Sequence, residues 1–437
     1  MSETSSAGMG MVLKKSKILN LGFPALVSQG SLALWGVISI LIARHLPDNA
    51  YAVYALSRSI ELFGGLLGGG FVLSALLKLG SEKSSTETSA TANTAMLVTL
   101  VFSLITAAGL LLFGDLINSF YPEIQLSGIP PVIALVVVTG ALSQIPRHLL
   151  LTKLSTAKVM QADVVSFLIR GGIVGWLIYT GVLTGAVQVL KATALANTGA
   201  FFFNAWNARH LFDPTAGVNR ASLKRVLKFA AYSLGTSFAG FIYTRTDILM
   251  LGKLAPPEDV AAYSASRALT SMVVMVSAAA NMILMPAISR DWTSGIRKSV
   301  MKRAMKAVAI VELIQLPVVA ALVIFPVQII NTIYHGRYSA NWPILAILGG
   351  LALVRPFGSI FSTVSSAMNK PQYSFWCIFL SAGVNVTLNI ILIPKMGGIG
   401  AAWATVAAVV SGAIAVIVLS VLHWMKETGE EPVKQIL

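Results

Sequence analysis

Ionisable side chains stand inside long apolar runs of this 437-residue sequence, and their types suggest a task. Arg58 and Glu61 share one run, Arg245 and Asp247 another, and Arg267, Glu312 and Arg355 lie in three more. Charges in apolar segments of membrane length are costly unless paired or facing water, so each is a candidate functional group. A guanidinium keeps its proton and grips two oxygens of a phosphate with one planar fork. Arg58, Arg267, Arg245 and Arg355 are therefore candidate ligands for an anionic, phosphate-bearing substrate, with Ser28, Tyr243 and Asn281 as polar neighbours. Glu61 and Asp247 are the candidate protonation sites for coupling to an ion gradient or to the membrane potential. A structural reading stands beside each assignment. Arg58 and Glu61 at i,i+3 can form an intrahelical pair, Asp247 can neutralise Arg267 from a neighbouring helix, and Arg245 can reach back to the interface. Asp163, Arg170, Lys191 and Glu312 lie nearer span ends or outer helices, where a structural role is the ordinary one.

Other chemistry finds little support. His45, His148, His210, His335 and His423 are scattered over loops and span ends, and Cys377 is the single cysteine. No metal site, cofactor or catalytic triad is expected, and so no enzyme activity. The run from Gly64 to Gly70 lacks a following Lys-Ser or Lys-Thr and is not a phosphate loop. Its glycines suit close helix packing and, compatibly with it, a bending point in the second helix during gating.

The elements that must position these groups are membrane helices. Hydrophobic residues make up 56% of the chain and charged ones 11%, against about a quarter charged in soluble domains. Apolar runs of membrane length place spans near 21–43, 51–78, 92–113, 128–151, 160–181 and 184–207. A second six follow near 228–251, 261–286, 303–326, 341–367, 372–394 and 398–424. The expected fold is thus an all-α polytopic membrane protein with about 12 transmembrane helices in two six-helix pseudo-symmetric lobes, 1–218 and 219–437, around a central cavity. Pro24, Pro317, Pro343 and Pro356 are expected to mark kinks. Lys and Arg crowd one side of this topology, while the other keeps only Arg44, Lys253, Arg337 and Lys395. Positive loops stay in the cytoplasm, which puts both termini inside, and the polar stretch before Lys14 reads as a cytoplasmic tail. The net charge of +15 is mostly this topology signal, with some attraction to anionic lipids, and nucleic acid is not an expected partner.

An internal repeat supports the two lobes. Tyr54, Ser57, Arg58 and Ile60 share the pattern Y-x-x-S-R-x-[IL] with Tyr263, Ser266, Arg267 and Leu269. A weaker echo at an offset of 212 pairs Ala157-Lys158 and Gly171-Gly172 with Asn369-Lys370 and Gly383. An even number of spans per copy implies an axis along the membrane normal, so Arg58 and Arg267 are expected to face each other across the cleft. Both are expected about seven residues into their helices, at about 10 Å depth.

The strings TDILMLGKLAPPEDVAAYSASRAL from Thr246 and NKPQYSFWCIFLSAGVNVTLNIILIPKMGGIGAAWATVAAVVSGA from Asn369 resemble polysaccharide flippases of the multidrug/oligosaccharidyl-lipid/polysaccharide exporter superfamily. IARHLPDNAYAVYALSRSI from Ile42 is similar to the family's opening pattern. The resemblance implies alternating-access transport of undecaprenyl-pyrophosphate-linked oligosaccharide, an O-antigen, capsule or exopolysaccharide unit, across the bacterial inner membrane. The implied partners are that lipid-linked oligosaccharide, membrane lipids and the polysaccharide polymerase machinery. In the related lipid II flippases, arginines on the first, second and eighth spans line the cavity. Arg58 and Arg267 match the latter two, whereas the first span here carries Ser28, Gln29 and Ser31 instead. Two competing readings are a cation-coupled multidrug exporter of the same superfamily, which would need an acidic cavity, and an O-antigen polymerase or ligase, which would need a long outer loop.

Overall fold

The computed structural model describes residues 35–79, 85–153 and 155–429, and every regular element among them is a helix. The described part of the first span is α1, Trp35–His45. The second span is α2 (Asp48–Gly65) continued through a π-turn at Leu66–Gly70 into α3 (Phe71–Leu79). Then follow α4 (Ser85–Leu112), the short α5 (Gly114–Phe120), α6 (Ile129–Thr152), α7 (Thr156–Tyr179) and α8 (Ala186–Ala208). The second half runs α9 (Arg220–Leu254), α10 (Pro257–Thr293), α11 (Ser299–Ile324), the short α12 (Pro326–Tyr334), α13 (Trp342–Leu351), α14 (Arg355–Ala367) and α15 (Pro371–Thr428). Eight stretches among the described residues are long and apolar enough to cross a membrane, which makes this a multi-pass membrane protein. Polar residues keep α8 and α9 off that count: Lys191 and several carboxamides in α8, and Arg245, Asp247, Lys253 and a basic first turn in α9.

The repeat is visible in the order of elements. Short α5 and α12 begin 212 residues apart (326 minus 114), the offset of the sequence echo. Arg58 stands ten residues after the first residue of α2 and Arg267 ten after the first of α10 (58 minus 48; 267 minus 257). Both helices therefore start earlier than hydropathy alone suggests. At 1.5 Å per residue each arginine lies about 15 Å along its helix, with Asp48 and the acidic first turn of α10 belonging to the helices and not to loops.

The chain divides into two compact units. Of the described residues, the first takes those up to Ile38, Ile60–Phe120 and Gln125–Ser237. Its core gathers Phe71, Val72, Leu76, Leu150 and Val226. In lipid, apolar burial gives helices little reason to associate, so close van der Waals approach must do it. The glycine run does this and also bends. A Cβ at Gly64 or Gly68 would fall 2.9 or 3.0 Å from the Val137 side chain of α6, and one at Gly69 would fall 2.8 Å from the Thr99 backbone of α4. Gly69 has φ +100°, open to glycine at little cost, so the turn and the close approach share one residue. Arg147 of α6 grips Asp163 of α7 with two hydrogen bonds of 3.1 Å, and the Arg170 guanidinium sits 3.4 Å over the Trp35 ring.

The second unit takes Ser39–Ser59, Tyr121–Ile124 and Phe238–Leu437. Its core gathers Ile288, Trp292, Phe361, Val364 and Trp424. Of the expected kinks, Pro24 lies outside the described residues and Pro317 is inside α11. Pro343 and Pro356 instead start helices: they occupy the first turns of α13 and α14, where the missing N–H costs nothing, and the tenth span breaks between them. On the expected outer side, Arg337 donates to Asp48 at 3.1 and 2.5 Å and to the Arg44 carbonyl at 3.2 Å, while Arg44 meets His335.

Helix α15 is two arms joined at Gly397, whose φ of +53° and ψ of −132° are non-helical. The second arm begins there, and Asp259 accepts from its Gly398 N–H and from the Asn341 amide, the latter at 3.0 Å. An acid at a helix start satisfies free N–H groups and the helix dipole together. A Cβ at Gly397 would land 1.9 Å from the Asp259 carboxylate. Gly397→Ala is expected to cost roughly 1–3 kcal/mol through backbone strain and loss of this cap. Gly383→Ala, in open space on the first arm, should be neutral or gain a few tenths to about 1 kcal/mol. Thermal melting of the two purified variants in detergent checks the contrast.

Candidate functional site

Asp247 organises the polar interior of the second unit. It stands on α9 with 1% exposure, far too dry for a lone carboxylate. Four neutral donors meet it: Tyr263 of α10 at 2.7 Å and Thr405 at 3.0 Å on one oxygen, Asn385 at 2.7 Å and Asn389 at 2.9 Å on the other. Asn389 also donates to Asn385 at 3.0 Å, and the Asn389 carbonyl oxygen is buried with no hydrogen-bond partner among the described residues. These groups come from α9, α10 and both arms of α15. Asn385 and Asn389 are at i,i+4, hence on one helix face.

Arg267 approaches the same carboxylate at 3.8 Å with 27% of its side chain exposed. Charge-assisted hydrogen bonds are about 2.7–2.9 Å long, so this contact is Coulombic attraction without a hydrogen bond. Asp247 and Arg267 thus offset each other's charge, as one of the two sequence-level alternatives expected. Among the described residues, no hydrogen bond uses the Arg267 guanidinium, and its donors are left for another acceptor.

A cavity of about 260 Å³ adjoins this cluster, and Tyr243 and Arg355 stand in its wall. Tyr243 is one helical turn before Asp247, Ser381 one turn before Asn385, and Val409 one turn after Thr405. All three line the cavity, so it meets the carboxylate cluster along three helix arms. Arg355 lies within electrostatic reach of Tyr243, Tyr263, Asp247 and Arg267.

The remaining candidates fall elsewhere. Arg58 is half-buried and Glu61 buried on α2; Arg245 is half-buried on α9. Asn281 lies on α10, and its side-chain oxygen is buried with no hydrogen-bond partner among the described residues. Ser28 lies outside the described residues, as do Gln29 and Ser31. The structure thus brings Asp247, Arg267, Tyr243 and Arg355 together. Asn385, Asn389, Thr405 and Tyr263 were not singled out as site residues in the sequence. The available signal was two carboxamides one turn apart in an otherwise apolar span, which must hydrogen-bond something there.

The chain belongs to the family described as "Polysaccharide biosynthesis protein", which matches residues 41–343. It is 22% identical over 219 residues to the "Probable low-salt glycan biosynthesis flippase Agl15" of Haloferax volcanii, covering 50% of this chain and 45% of that one. It is 22% identical over 305 residues to the "Amylovoran biosynthesis protein AmsL" of Erwinia amylovora, covering 69% and 76%. The chain spans less than half the length of the first curated relatives it matches. Among solved structures it resembles "Lipid II flippase MurJ, inward closed conformation" with TM-score 0.75 at 17% identity, over 93% of this chain and 90% of that one. This likeness is one of fold.

The Asp247 cluster makes a graded prediction. Tyr263→Phe removes one of four neutral hydrogen bonds and should cost about 1–2 kcal/mol of stability. Asp247→Ala strands four donors and the Arg267 charge and should cost roughly 3–5 kcal/mol. Thermal melting in detergent measures both, and identical melting of Tyr263→Phe and wild type would mean that the phenol does not hold the carboxylate.

Proposed function

We propose that this protein is a flippase that carries undecaprenyl-pyrophosphate-linked oligosaccharide from the inner to the outer leaflet of the bacterial inner membrane. Its two six-span lobes, 1–218 and 219–437, would alternate access to a shared cleft, with both termini in the cytoplasm. The observation that carries the reading is Arg267, a cation inside a membrane-length helix that stays close to Asp247 yet donates no side-chain hydrogen bond among the described residues. Family membership supports it, as does the similarity to the flippase and biosynthesis relatives.

A pyrophosphate cannot cross about 30 Å of hydrocarbon without its water being replaced. Arg267, with Arg58 at the matching position of the first repeat, supplies such replacement ligands. The polyprenyl tail remains in lipid, where it costs nothing to leave, and the sugars occupy the wet cleft. The reading makes the protein a transporter and not an enzyme, since the substrate leaves chemically unchanged.

Asp247 supplies the coupling in this reading. Its carboxylate, the two asparagine carbonyls and the Thr405 hydroxyl form a set of hard oxygens, suited to a proton or a small cation such as sodium. The amides of Asn385 and Asn389 would turn to present oxygen when a cation enters. Bound charge at Asp247 weakens its hold on Arg267, which links ion occupancy to the availability of the arginine.

Reconstituted protein should flip a fluorescent lipid-linked oligosaccharide. Arg267→Ala and Arg58→Ala should each slow this at least tenfold, about 1.4 kcal/mol, with Arg267→Lys intermediate because a lysine lacks the fork. Full activity of both alanine variants in correctly inserted protein would remove the arginine site. Asp247→Asn should abolish any response of transport to a pH or sodium gradient; a gradient response equal to wild type would remove Asp247 from coupling.

A further inference from the structure

The cavity beside the Asp247 cluster has in its wall a cation, Arg355, with no ion-pair partner among the described residues. Arg355, the first residue of α14, is half-buried in its wall. Among the described residues it makes no ion pair and donates no hydrogen bond. The nearby acid, Asp247, is already held by four donors and paired with Arg267. Arg267 adds a second positive charge within reach of the first. A guanidinium inside a membrane unit without an anion is costly, and here the local balance is two cations to one carboxylate.

The rest of the wall suits a ligand that is both anionic and hydroxylated. Ser277, Ser359, Ser362, Ser374 and Ser381 line it together with Val274, Ile378 and Val416. Ser362 donates to Ser374 at 2.8 Å, and Ser277 accepts from Gln315 at 3.3 Å. Hydroxyls rotate and serve as donor or acceptor as the guest requires. Gly412 lets the two arms of α15 approach closely beside the cavity, since a Cβ there would fall 2.0 Å from the Ser381 hydroxyl. Most of the wall surface is apolar, and its polar groups are Arg355, Tyr243 and the serines. At about 260 Å³ the volume is just below the range of about 300–1,000 Å³ for drug-sized ligands. It suits one headgroup or one sugar ring and excludes an oligosaccharide.

We propose that the Arg355 cavity is a binding site for a single oxyanion, a carboxylate or phosphate carried on a hydroxyl-bearing group. Two sources present that chemistry: an acidic or phosphorylated sugar of the cargo, and the headgroup of an anionic phospholipid. The sugar source rests on the flippase reading; the cavity and its charge do not. The guanidinium binds the oxyanion through its fork, the lining serines take the hydroxyls, and the apolar wall packs the carbon skeleton.

The test uses the full chain, purified and delipidated in detergent, with thermal melting read against rising ligand. Glucuronate and glucose 1-phosphate should raise the melting temperature saturably, because a ligand that binds only the folded state stabilises it. Glucose should not. Arg355→Gln should weaken the apparent affinity at least tenfold, Arg355→Lys less, and Ser359→Ala measurably while keeping the charge. The chain's single cysteine, Cys377, lines the cavity, so bound anion should also slow its alkylation. The lipid arm is native mass spectrometry from vesicles containing phosphatidylglycerol. Retention of that lipid dependent on Arg355, without a response to the sugars, would support the site with a phospholipid as its source. The proposal is overturned if wild-type protein responds to none of these probes, or if Arg355→Gln binds them as wild type does. Flipping of lipid-linked oligosaccharide, measured in parallel, separates the two readings. Transport without anion binding overturns the cavity site alone, and Arg355-dependent binding without transport overturns the flippase alone while supporting this site.

Discussion

The second unit depends on how one buried carboxylate is accommodated inside a membrane protein. Asp247 receives hydrogen bonds from a phenol, a hydroxyl and two amides before any cation touches it. Neutral donors disperse its charge without locking an arginine in place. Arg267 is consequently held close, at 3.8 Å, with no side-chain hydrogen bond among the described residues. A direct, bidentate pair would have consumed both partners, as Arg147 and Asp163 do in the first unit. The two carboxylates show how the same chemistry serves fixation in one place and availability in another.

The duplicated pattern sets this arrangement up and then departs from it. Tyr54, Ser57 and Arg58 recur as Tyr263, Ser266 and Arg267 at the same distance from their helix starts, with the tyrosine and serine buried in both copies. In the first copy an acid, Glu61, follows on the same helix; in the second, Thr270 occupies that place and the acid comes from α9. The second copy therefore needs tertiary packing to assemble its charge balance. That packing runs through α15, whose bend at Gly397 turns the chain so that Asn385, Asn389 and Thr405 reach one carboxylate. Small residues do comparable work at Gly64, Gly68 and Gly69, where helix approach in an apolar solvent must come from contact.

Much of this was legible residue by residue. Long apolar runs and their breaks announced the helices, since a backbone in lipid has no other way to satisfy its polar groups. The pairing of Asp247 with Arg267 was one of two readings the residues allowed, and the glycine run proved to be both a packing surface and a bend. Other features were not legible. Pro343 and Pro356 looked like kinks because a proline in an apolar run gives no sign of whether it interrupts a helix or begins one. Asn385 and Asn389 lay inside a quoted stretch, yet their partner is 138 and 142 residues away in sequence.

The sequence by itself determined the class of fold, the membrane setting and the set of ionisable groups that had to be explained, because hydropathy and charge placement are local properties that lipid enforces strictly. Only the tertiary structure decided which of those groups share a site. Arg355 makes no ion pair among the described residues while α9 delivers Asp247 to Arg267, and serines of α10, α14 and α15 line one cavity because these helices converge there. Both outcomes follow from distances between segments far apart in the chain, set by small differences in helix packing and bending that no local pattern encodes.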